Sequence, residues 1–173
     1  MEAFWEILKL FIPAAIVFLT AFYTIKKFLD REERERSLEL RKNRQKQIDP
    51  IRLQAYERII LFLERISPNN LVMRAYKDGM SAKYLHSEMV EIIKKEFDHN
   101  TTQQIYISDQ AWNLTKNAKE EIIKFLNTQL EKAEENANGI EFSKQIFNAA
   151  GKFKEFPTRV ARDEIKKEVR KMF

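Results

Sequence analysis

The sequence predicts an all-α protein: an N-terminal transmembrane helix runs into a charged stalk helix, and a compact multi-helix bundle follows. Three observations carry this expectation. Only 3 Gly and 4 Pro occur in 173 residues, and scarce breakers favour long helices over a sheet with many turns. Beyond Asp49, apolar residues recur at helical spacing. From Leu10 to Ile25 no side chain ionises except the weakly acidic Tyr23. The expected boundaries are 1–25 for the anchor, 26–48 for the stalk and 49–173 for a soluble helical domain.

The apolar opening comes first. Its sixteen residues reach roughly 24 Å at 1.5 Å per residue, short of a hydrocarbon core of about 30 Å. Counting from Phe4, with Lys9 snorkelling on its long stem, lengthens the stretch to a sufficient span. The expected transmembrane residues are Phe4, Trp5, Leu10, Pro13, Phe18, Tyr23 and Ile25, with Trp5 and Tyr23 near the interfaces. Pro13 removes one backbone bond and marks a kink. A cleaved signal peptide is disfavoured, because Glu2 and Glu6 occupy the n-region and no small-residue cleavage site follows. A buried core helix would be amphipathic, whereas this one is apolar all round. Lys26, Lys27, Arg31 and Arg34 follow the span and are expected to face lipid headgroups. By the positive-inside rule the protein is then placed in the cell inner (plasma) membrane, single-pass, N-terminus out and C-terminal domain cytoplasmic.

Charge and composition narrow the function classes. The net charge is +5, with 44% hydrophobic and 33% charged residues, and cysteine is absent. That balance suits a folded chain. It leaves no disulfide framework, thiolate nucleophile or cysteine-based metal site. Lys26–Lys46 holds nine Lys/Arg against five Asp/Glu, and Lys152–Phe173 eight against four. The basic character therefore sits in two segments, an electrostatic footprint for something anionic.

The stalk is rich in Glu, Arg, Lys, Leu and Gln, all good helix formers, and continues the first helix without a breaker. It reads as a solvated rod; a coiled coil is the rival, but the apolar spacing does not sustain heptads. Asp49-Pro50 signals a fresh helix start, opening a helix to Ile66 that is apolar on most faces. Ser67-Pro68 opens a short helix ending near Asp78-Gly79, and Ser81 caps a helix over 82–97. Gln103–Ile107 reads as helix or loop. Ser108 caps a long helix to about Ala137, which Asn138-Gly139 ends. Two helices follow, 141–152 and 157–173.

The strings LQAYERIILFLERISPNN, EFDHNTTQQIYIS and AWNLTKNAKEEIIKFLN, with the closing IKKEVRKMF, resemble an uncharacterised bacterial family of small proteins with an N-terminal membrane helix. The resemblance covers nearly the whole chain and implies topology, not an activity or a functional residue. The rod-then-bundle layout is also superficially similar to the stator b subunit of rotary ATP synthases, but the C-terminal half here breaks into short helices.

No constellation for chemistry emerges. His86 and His99 lie thirteen residues apart, where a zinc site needs three or four ligands. Glu120-Glu121 and Glu134-Glu135 are adjacent on helices and diverge by about 100°. Glu57, Arg58, Glu64 and Arg65 read as the solvent stripe of the helix that also carries Tyr56. No nucleophile elbow or phosphate-cradling glycine loop occurs. No cofactor, metal or small-molecule substrate is expected.

The sequence therefore points to a non-enzymatic, membrane-tethered interaction or scaffold protein. Its expected partners are membrane lipid and a protein partner or a second copy. The candidate interaction surface is the basic C-terminal helix, with Val160, Ile165, Lys166, Lys167, Val169 and Arg170. The alternative is an anionic-lipid- or nucleic-acid-binding module acting through segments 26–46 and 152–173, although interleaved acids weaken the nucleic-acid reading. An enzyme with an unrecognised site is a weaker third.

Overall fold

A computed structural model describes residues 2–172, with side chains from 15 onward except that of Arg44. Six α-helices occur: α1 (Glu2–Arg65), α2 (Pro68–Ala75), α3 (Ala82–Asn100), α4 (Asp109–Glu131), α5 (Gly139–Gly151) and α6 (Pro157–Met172), with a 3-10 turn at Thr101–Ile105 between α3 and α4. Among the described residues there is no strand, so the all-α class stands. The chain divides into two units, Met1–Asp49 and Pro50–Phe173, and α1 contributes to both.

In the first unit, Ile16, Phe18, Phe22, Ile25, Phe28 and Leu29 are each more than half exposed. Lys26, Lys27, Arg31 and Arg34 are exposed too, and Arg31 pairs with Glu35 at 2.9 Å, one turn on.

The membrane reading is corrected here. Among the described residues no helix is long and apolar enough to cross a membrane. The apolar run is closed on its C-terminal side by Lys26 and Lys27, and charged residues fill the helix from there on. Phe18, Tyr23 and Ile25 lie on this run, while Phe4, Trp5, Leu10 and Pro13 lie outside the described side chains. The single-pass inner-membrane location, with its N-out orientation, falls with the span that defined it.

Asp49-Pro50 does not open a helix, because α1 runs through it. Pro50 is exposed, so water can take the carbonyl its missing N–H leaves unpaired, and helix formers flank it on both sides.

In the second unit α1 buries one stripe, Ala55, Tyr56, Ile59, Phe62, Leu63 and Ile66. Leu61 on the opposite face is 48% exposed, so this helix is not apolar to its neighbours all round, as its composition suggested. The stripe joins a single core with Leu71, Leu85, Met89 and Ile93, Ile122 and Leu126, Phe142 and Ile146, and Ile165. Every helix after α1 follows the same logic, one apolar stripe facing that core.

Caps explain most of the boundaries. Ser81 accepts from Tyr84 N at 3.2 Å and Ser108 from Ala111 N at 3.0 Å, as their positions predicted. Ser67 does otherwise: its hydroxyl donates back to Glu64 O at 2.7 Å, and Asn70 Nδ2 donates there too at 2.9 Å. Both side chains thus satisfy a carbonyl at the end of α1. Gly79 takes φ +80°, which closes the turn before α3.

Asn138-Gly139 is a start rather than a stop. Asn138 Oδ1 accepts from Ile140 N and Glu141 N, and Glu141 Oε2 accepts from Asn138 N at 3.1 Å, a complete capping box for α5. α4 consequently ends at Glu131 instead of Ala137. Gly139 N also donates to Met80 O at 2.7 Å, and Ala82 N to Ala137 O at 3.0 Å. These two bonds stitch the α2–α3 connection to the α4–α5 connection. A Cβ at Gly139 would meet Met80 O at 3.0 Å and the Tyr76 ring at 3.2 Å. Gly139→Ala is expected to cost about 1–3 kcal/mol by overpacking, read as a lower midpoint in urea with an unchanged slope.

Candidate functional site

The best-formed concavity in the second unit lies between α4 and α5, a groove of about 840 Å³. The two helices run antiparallel along it. Gln145 Nε2 donates to Gln129 O at 2.7 Å, and Phe125 faces Phe153 with ring centroids 5.8 Å apart. Residues that oppose one another therefore sum to nearly the same number, as antiparallel neighbours joined by a short connection must.

One end of the groove is aromatic. Phe125, Phe153 and Phe156 form a closed trio, with centroids 5.8, 5.3 and 5.1 Å apart and rings edge to face. Phe125 belongs to the core, whereas Phe153 is 49% exposed. The connection from α5 to α6 thus holds an aromatic ring over the groove mouth. The middle is polar, with Thr128, Gln129, Gln145 and Asn148.

The walls carry Lys124 and Lys132 on α4, and Lys144 and Lys152 at the α5 wall, against Glu121 and Glu141. All four lysines are exposed, and none forms an ion pair among the described residues. Glu141 is occupied by the α5 capping box. The groove is therefore net positive, with an apolar floor at one end.

The C-terminal helix that the sequence singled out is placed differently. Ile165 is 0% exposed, Ala161 and Thr158 are buried, and Val169 packs against the core. The stripe serves the fold, so Ile165 is not available as an interaction surface. Lys166, Lys167 and Arg170 face solvent, with Lys167 Nζ 2.7 Å from Glu164, and Val160 is exposed. Arg162 pairs with Glu64, and Tyr56 donates to Glu168 Oε1 at 2.7 Å, which ties α6 to α1.

Glu57, Arg58, Glu64 and Arg65 are exposed, as the solvent-stripe reading expected. Arg65 reaches Glu96 at 3.1 Å and Arg74 reaches it at 2.8 Å. The Glu96 side chain is 14% exposed. Burial pushes its carboxyl up, but the bonds from Arg74 and Arg65 outweigh burial and hold it below the ordinary 4.5. A carboxyl depressed on folding adds stability that is fully present above about pH 4.5 and is lost as pH falls through the folded value. Glu96→Gln is expected to cost about 1 kcal/mol at neutral pH, discounted because both arginines are screened by water. It should also flatten the acid limb of the stability profile below pH 4.5, measured by urea unfolding from pH 3 to 7.

His86 Nε2 sits 2.8 Å from Asn127 Oδ1, and His99 is exposed in the last turn of α3. Among the described residues no three His, Cys, Asp or Glu side chains gather as metal ligands.

Sequence reasoning missed the groove residues. The signal was present: lysines recur eight residues apart on both walls, 124 and 132, 144 and 152, and phenylalanines stand at 153 and 156. Their convergence depends on how α4 and α5 pair, which periodicity does not reveal.

The second unit is an all-α domain with a lysine-walled, part-aromatic groove. More particularly, this chain belongs to the family of unknown function DUF7935, whose model matches residues 2–172. Comparison with curated proteins finds no match, and comparison with solved structures finds none. Family membership agrees with the uncharacterised family that the sequence strings resembled.

Proposed function

We propose that the protein is a non-enzymatic interaction or scaffold module, in which the second unit binds a protein partner in the α4–α5 groove. The observation that supports this reading is the groove itself: the half-exposed Phe153 at one end, and four lysines along the walls that form no ion pair among the described residues. Aromatic side chains exposed in a concave patch are enriched among the anchors of protein contacts. The uncovered apolar residues of the first unit, Ile16 to Leu29, give a separate surface for self-association or a further partner. The bacterial source implied by the resemblance belongs to this reading as well.

The test is photo-cross-linking in cells, with a diazirine residue replacing Asn148 in the full chain. Partner peptides should cross-link at this position and fade when Phe153→Ser is added. Equal yields with and without Phe153→Ser would overturn the reading.

A second reading, anionic-lipid or nucleic-acid binding through 26–46 and 152–173, is favoured by the exposure of Lys26, Lys27, Lys166 and Lys171. Binding of that kind weakens steeply and linearly in log–log form with salt and should survive Phe153→Ser, whereas the groove contact should be lost with that ring.

A further inference from the structure

We propose that the groove's partner is an acidic amphipathic helix of another protein. The proposal deepens the reading of the groove as a protein-binding site and rests on it. The antiparallel register puts Lys132 and Lys144 at one end of the groove and Lys124 and Lys152 at the other. Eight helical residues rise about 12 Å, so positive charge stands in two pairs about two helical turns apart. Phe153 and Phe156 lie beside the second pair only.

A matching ligand needs negative charge at two points about 12 Å apart and an apolar side chain next to one of them. Helical geometry supplies both in a single segment. Acidic residues at i and i+7 or i+8 fall on one side at that separation, and an apolar residue at i+11, one turn beyond the second, lies next to that one alone. Helix-in-groove recognition reads such spacings directly. A bilayer offers headgroups in no fixed register and no apolar side chain set beside one charge, so it does not read the pairing of two lysine pairs with an aromatic ring at one end. Charge complementarity would also steer encounter, so the contact should form faster at low salt.

The test is fluorescence anisotropy with the full chain. The probe is a labelled synthetic amphipathic helix of about five turns, bearing leucine and phenylalanine on one face and glutamates spaced by seven or eight residues. A twin carrying lysine for each glutamate is the control. The acidic peptide should bind at least tenfold more tightly than the twin. A variant with Lys124→Glu, Lys132→Glu, Lys144→Glu and Lys152→Glu together should reverse the preference and bind the lysine twin. That reversal shows the variant is folded and the groove intact. Phe153→Ser should weaken both pairings at least fivefold.

Equal binding of both peptides by the unaltered chain would overturn the proposal. So would retention of acidic-peptide binding by the charge-reversed variant, or displacement of the peptide by phosphatidylserine vesicles with the same lysine dependence. If the peptides fail while Asn148 cross-links a partner in cells, the interaction reading stands and the acidic-helix proposal falls.

Discussion

Replacing Phe62 with alanine is expected to remove about 3–5 kcal/mol of stability. Phe62 is fully buried on α1 and starts an aromatic chain: its ring lies 5.8 Å from Phe97, which stacks on Trp112 at 5.2 Å. Lys119 Nζ lies 4.3 Å from the outer side of that chain, over Phe97. Deleting the first ring forfeits its transfer free energy and leaves a cavity between α1 and α3 that rigid helices fill poorly. In a two-state unit of this size the thermal midpoint should fall by roughly 10–20 °C. With Trp5→Phe as background, Trp112 is the sole tryptophan, and its emission should shift to the red as Phe97 loosens. A midpoint within 3 °C of the unaltered chain would show that the α1–α3 contact does not carry the core.

The second large effect is expected at Tyr56. Its side chain is 0% exposed, and its hydroxyl serves two elements. It accepts from Ser108 N at 3.1 Å and donates to Glu168 Oε1 at 2.7 Å. Burial and the Glu168 bond raise the phenol above its ordinary 10.0, so it is the neutral O–H that holds this junction at physiological pH. Tyr56→Ala is expected to cost about 3–5 kcal/mol, a cavity plus two orphaned polar groups. Tyr56→Phe isolates the hydroxyl and should cost about 1–3 kcal/mol. The diagnostic readout is local. Amides of 157–172 should exchange faster in Tyr56→Phe, because α6 loses the Glu168 bond to α1 while its apolar stripe and the Arg162–Glu64 pair stay in place. A Tyr56→Phe, Glu168→Ala double-mutant cycle should give coupling of about 1 kcal/mol. Additive effects would place the anchoring of α6 in its apolar stripe and the Arg162–Glu64 pair.

How much of this was legible in the sequence differs by element. Ser81 and Ser108 cap the helices they precede, because an N-cap bond is made within four residues and depends on little else. Asn138-Gly139 misled for an instructive reason. Asn-Gly serves equally as the end of one helix and the start of the next, and Glu141, which closes the capping box, decides between them. Asp49-Pro50 misled because a proline signal is local, while the cost of carrying it inside a helix depends on solvent at the freed carbonyl. The apolar opening misled more broadly, since uniform apolarity over a short run is not enough: a span also needs length, and Lys26 and Lys27 close this one.

The groove was the least legible feature. Lys124, Lys132, Lys144 and Lys152 look in sequence like ordinary solvated charges. Phe153 and Phe156 look like stray apolar residues in a connection. Only the antiparallel pairing of α4 and α5, seen in the Gln145–Gln129 bond, turns them into one surface.

The sequence by itself determined the all-α class, the helical spacing of apolar residues and the caps at Ser81 and Ser108, because these follow from spacings of three, four and seven residues along one chain. Tertiary structure decided that Ile165 serves the core instead of a partner, that Tyr56 joins α1, α4 and α6, and that lysines from two helices share one groove. The physical reason is that local patterning is set by bonds within a turn or two, whereas a site depends on which faces meet, and that is chosen by the packing of the whole core.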